Sequence, residues 1–136
     1  MPIFAIWDDH DFGDNDDYGT PALDSPQWKV DALALFQKQW VNPGYGDEGK
    51  WPGLFFKHNI GSVDFFFLDC RYYREVSEEG QSYPTGRTML GSQQLAWLQR
   101  ELLQSKADFK VLISSVPWAL EAKPPLEGKR DTWPGI

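Results

Sequence analysis

Cysteine is nearly absent from this chain: Cys70 is the single one in 136 residues. One thiol cannot close an internal disulfide, so nothing in the sequence calls for an oxidising compartment, and location stays open. Histidine and methionine are almost as scarce, at two each, so imidazole chemistry rests on His10 or His58. Basic residues are in deficit, with 13 Lys and Arg against 20 Asp and Glu, giving a formal net charge of −7. That balance argues against nucleic acid and anionic membrane as partners, since both reward clustered cations. The pair Lys129-Arg130 is too short to change this. No apolar run approaches the roughly 20 residues of a membrane helix. The opening MPIFAIWDDHD shows neither the basic region nor the cleavage site of an export signal.

What is abundant is aromatic and acidic. An apolar share of 41%, with 15% aromatic residues, argues against a disordered chain, while 12 glycines and 10 prolines promise long loops. The acids are concentrated: WDDHDFGDNDDYG, Trp7 to Gly19, carries six aspartates in the ten positions from Asp8 to Asp17. It follows the apolar run IFAIW (Ile3 to Trp7), which reads as a buried strand delivering Asp8 to its exit. Carboxylates crowded behind a strand, with His10 among them, are the materials of a metal site. The spacing does not fit an EF-hand, because Tyr18 and Ser25 fall where ligands are required. A second reading stays open: the acids solvate a turn and cap nearby backbone N–H groups.

Further along, DSPQ starts a helix with Ser25 as N-cap and Pro26 at its first position, and Trp28, Ala32, Leu35, Phe36 and Trp40 follow at helical spacing. NPGYG ends it. LFFKHNIGSVDFFFLDCR reads as a β-hairpin turning at Asn59 to Ser62. Arg71 to Met89 reads as a long surface loop, and LGSQQLAWLQRELLQ as the strongest helix, with Leu95, Leu98 and Leu102 on one face and Trp97 beside them. Phe109 to Ile113 reads as another buried strand, opening at Ser114 and Ser115. Trp28, Trp40, Trp97 and Phe65 to Phe67 are expected in the core, and His58 and Cys70 are expected to be structural.

Four of these segments carry a resemblance. IWDDHDFGDNDDYG resembles the Trp-Asp-Asp-His-(Asp/Glu) signature of the alkaline phosphatase D (PhoD-like) branch of the calcineurin-like metallophosphoesterases. VDFFFLDCRYYR (Val63 to Arg74) is similar to that family's Leu-Asp-x-Arg-x-Tyr-Arg segment, MLGSQQLAWLQREL to its Leu-Gly-x-x-Gln-x-x-Trp-Leu helix, and FKVLISSVPW to the strand that follows. The resemblance implies an α/β fold, part of a loop-rich four-layer α/β/β/α sandwich, that hydrolyses phosphate esters, monoester or diester, at a metal centre of Ca, Fe, Mn or Zn. It implies that Asp9 is a metal ligand. His10 would contact phosphate and protonate the leaving oxygen, with Asp11 orienting it and Asp8 in support. Asn15 and Arg71 are candidate substrate-binding residues, although Asp69 and Arg71 are also expected to bond within their own loop.

The chain also departs from the pattern. The family's early Asp and Gly-Asp metal motifs and its later Asp-x-His segment have no counterpart in it, and Ser114 and Ser115 stand where many superfamily members place a ligand His. The expectation is that residues 1–136 are the central part of one catalytic domain, inactive alone. The alternatives are a non-catalytic, cation-binding α/β module and an inactive fragment.

Overall fold

The computed structural model describes residues 3–75, 87–119 and 132–133. In chain order the elements are α1 (Asp9–Phe12), α2 (Gln27–Gln39), α3 (Gly46–Gly49), β1 (Phe56–Ile60), β2 (Val63–Phe67), α4 (Gly91–Gln104) and β3 (Phe109–Ile113). The three strands form one sheet in the order β1-β2-β3, so the described residues make a mixed α/β fold.

The hairpin stands where the sequence puts it. Ile60 pairs with Val63 across the two-residue loop Gly61-Ser62, and Gly61, at φ +60°, supplies the positive dihedral that a tight hairpin turn demands. β3 then adds to β2 in parallel, Val63 opposite Phe109, after the crossover through α4 that parallel pairing requires. β3 occupies the expected span but is not buried: Phe109, Val111 and Leu112 are exposed, because this edge strand is uncovered among the described residues. Ile3 to Trp7 departs further from expectation. It is not a strand; at Ala5 the Asn42 carboxamide takes both backbone hydrogen bonds, accepting from its N–H at 3.0 Å and donating to its C=O at 2.9 Å.

Both long helices form, with shifted faces. α2 is capped by Pro26 rather than Ser25, and it buries Lys29, Leu33 and Phe36, leaving Leu35, Trp28 and Trp40 exposed. The two tryptophans still pack edgewise or tilted on buried rings, Trp28 on Phe12 and Trp40 on Phe36. α4 buries Gln94, Trp97 and Leu98 and exposes Leu95, because Trp97 must reach Phe55 and Phe66. α4 is also tied to β1 by Lys57, whose Nζ lies 2.8 Å from Glu101 Oε2 and holds that carboxyl below its usual range.

The expected surface loop after Cys70 begins in the interior: Cys70 to Arg74 are all buried. Its central part, 76–86, lies outside the described residues, as do 120–131 with Lys129-Arg130. One core cluster contains Trp7, Phe12 and Phe36, which pack on one another, Phe55, Phe66 and Trp97, which do likewise, and Leu68, Tyr72 and Tyr73. Trp7 is fully buried, with Phe12 and Phe36 edgewise on it at 4.9 and 5.5 Å, so the residue preceding the acidic loop is a core anchor.

Candidate functional site

Six carboxylates within ten positions repel one another, and the loop answers that locally by giving them its own amides. Asp8 is extended and caps α1, its N–H donating to Asp11 Oδ2 at 3.0 Å. Asp9 accepts from His10 N–H at Oδ1 and from Asp16 N–H at Oδ2, each at 2.9 Å. Asp17 Oδ2 receives Asp14 N–H at 2.7 Å, and Asp14 Oδ1 receives Asn15 N–H at 2.8 Å. Asp16 adopts φ +58°, a left-handed conformation that aspartate tolerates better than most residues. Backbone capping, one of the two readings of the acid run, is therefore present.

His10 is exposed on α1. It borders a cleft of about 390 Å³ with Asp11 and Phe12 from its own turn and Ala32, Leu35 and Phe36 from α2. Asn15 is exposed. The structure thus brings Asp9, His10 and Asp11 together on one helical turn, with Asp11 engaged to the Asp8 backbone.

Arg71 follows β2 and is enclosed by the structure. Its side chain is fully buried; Nε donates to Asp8 Oδ1 at 3.0 Å, Nη2 also contacts Asp8 Oδ1, and Nη1 donates to Asp17 C=O at 3.2 Å. Its own carbonyl accepts Gly19 N–H at 2.8 Å. This approach requires glycine at 19, since a Cβ there would stand 2.0 Å from Tyr72 O.

Three residues that sequence reasoning left unassigned, or confined to their own loop, hold this arrangement. Asp69 is fully buried and its carboxylate is met by four N–H groups: Trp7 Nε1–H, Arg71 N–H and Tyr72 N–H at Oδ1, each at 2.9 Å, and Leu54 N–H at Oδ2, at 2.8 Å. Gln94 grips the Asp69 backbone from α4, accepting its N–H and donating to its C=O, both at 2.8 Å. Lys29 donates to the carbonyls of Thr20, Ala22 and Tyr72 and lies 4.3 Å from the Tyr72 ring centroid. Burial lowers the Lys29 ammonium pKa to about 8 against the opposing pull of Asp69 and Asp24. The available signal was a polar residue inside a buried stripe: Lys29 with Leu33 and Phe36, Gln94 with Trp97 and Leu98.

Among the described residues no three His, Cys, Asp or Glu side chains converge in a way that could hold a metal ion. These residues do not by themselves fit one. Cys70 is buried 3.4 Å from Ser114 Oγ, and burial pushes its thiol up to about 12, which suits a packing role. His58 packs edgewise on Phe4 at 4.6 Å.

The PhoD-like phosphatase family model matches residues 1–136. The chain belongs to the PhoD-like phosphatase family. No curated protein and no solved structure matches it. Membership points to phosphatase chemistry with a phosphate ester as substrate. Within this PhoD-like chain, the segment around Asp69 and Arg71 bonds to the Trp-Asp-Asp-His turn at Trp7 and Asp8. No helix among the described residues is long and apolar enough to cross a membrane.

Proposed function

We propose that this PhoD-like chain is the central part of a catalytic domain that hydrolyses phosphate esters, within a layered α/β/β/α sandwich to which the three-stranded sheet belongs. The observation that carries the reading is the family match over residues 1–136, with the Trp-Asp-Asp-His turn presenting exposed His10 at a cleft. His10 is assigned to contact the phosphate and protonate the leaving oxygen, with Asp11, on the same helical turn, as its orienting partner. Asp9 is assigned as one ligand of a metal centre whose other ligands lie outside the described residues. A local cation is needed on general grounds, because a protein of net charge −7 otherwise repels phosphate. Asn15, exposed on the same loop, is the candidate to meet the ester's polar atoms, and Asp8 supports the turn as its cap.

The test is turnover of a nitrophenyl phosphate monoester and diester by the full-length protein, with Ca²⁺, Mn²⁺, Fe³⁺ or Zn²⁺ supplied. His10→Ala is expected to lower kcat by about 10²- to 10⁴-fold with the fold intact. Asp9→Ala should in addition weaken metal binding, measured by calorimetry. Wild-type turnover in both variants would overturn the assignment.

A further inference from the structure

The acidic loop is held at both ends by one short segment. At its start, Trp7 is fixed by its indole hydrogen bond to Asp69, and Asp8 by the Arg71 guanidinium. At its end, the Asp17 carbonyl accepts from Arg71 Nη1, and Gly19 N–H donates to the Arg71 carbonyl. Arg71 therefore touches residues on either side of Asp9 and His10 without reaching toward the cleft that His10 borders. We infer that Arg71 is a positioning residue: its buried guanidinium, with Asp69 holding its backbone, clamps the two ends of the acidic loop and sets where Asp9 and His10 stand.

The chemistry of the pair supports this over a phosphate contact. A guanidinium that is 0% exposed and paired with a carboxylate presents little of its charge to an incoming anion. The same group is well suited to geometry, because its planar fork reaches a carboxylate and a carbonyl at fixed angles that an ammonium cannot reproduce. The penalty of burying the charge is met by Asp8, and Asp8 remains 45% exposed, so the pair joins the core to the loop surface. Asp69, satisfied by four N–H groups, fixes the segment from which Arg71 projects, and Gln94 fixes Asp69 from behind.

For its catalytic consequence the inference rests on the phosphoesterase reading, so the experiment has two arms. The first needs no activity: in ¹⁵N–¹H spectra of Arg71→Lys, the Trp7 indole N–H and the Asp9, His10 and Phe12 amides should shift, while amides of the hairpin 56–67 hold their positions. Loop signals that stay in place would overturn the clamp. In the second arm, Arg71→Lys should lower kcat by about 10²-fold, as a small misplacement of reacting groups can, with KM and competitive inhibition by inorganic phosphate unchanged. A raised KM and weaker phosphate inhibition at undiminished kcat would overturn the inference and make Arg71 a substrate contact. Asp8→Asn keeps the shape but removes the charge partner, and it should give the same kcat loss if Arg71→Lys does not fold. A wild-type protein inert toward every phosphate ester would refute the phosphoesterase reading, and the loop signals would still decide the clamp.

Discussion

Residue by residue, the buried charges are the informative positions. Asp69, Arg71 and Lys29 are each fully enclosed, and each is matched to several partners, as burial of a charge demands. Cys70 contrasts with them: an enclosed thiol whose pKa is pushed up to about 12 has almost no thiolate at neutral pH. Native protein at pH 8 should therefore resist alkylation by iodoacetamide over hours, whereas urea-unfolded protein should take up one equivalent, as read by mass spectrometry. Alkylation at equal rates in both states would contradict the packing assigned to this residue.

Among the elements, α4 is positioned by its entry. Gly91 opens the helix at φ +70°, and a Cβ there would lie 2.8 Å from Tyr73 Cβ and Cγ, whereas Gly49, at φ +83°, faces open space. Both Gly→Ala changes incur the left-handed cost of about 1–2 kcal/mol. Gly91→Ala should lower Tm further than Gly49→Ala, because only the former displaces Tyr73; calorimetry of the two variants measures the difference. α4 matters to the site because it carries Gln94 onto Asp69, so strain at its first turn should also disturb the Trp7 indole signal.

For the whole molecule, opposed titrations set the alkaline limit of stability. Lys29 has a folded pKa of about 8 against 10.5 ordinarily, so across that interval the unfolded chain binds more protons and stability rises with pH. Tyr72 is pushed up to about 12 by burial and then by Asp69 and Asp24, and burial raises Tyr73 as well. Above pH 10, where unfolded tyrosine ionises first, stability should fall. Urea midpoints measured from pH 7.5 to 11.5 should climb to about pH 9, level off up to about pH 10 as the unfolded Cys70 thiol ionises ahead of the buried one, and fall above that; Lys29→Met should flatten the rising limb while leaving the fall.

Local pattern determined much of this protein. The turn chemistry of Gly61-Ser62, the period of α4 and the span of β3 each depend on neighbours within a few positions, and all were legible. The Trp-Asp-Asp-His run marked the candidate site for the same reason. What the sequence could not disclose was decided by partners far along the chain. Segment 3–7 forms no strand and instead has Ala5 bonded on both sides by Asn42, and the buried faces of α2 and α4 turned toward rings they meet only after folding. The role of Arg71 is the clearest case. Its guanidinium meets Asp8 across 63 positions, and whether such a charge faces substrate or is buried as a clamp depends on the packing that encloses it.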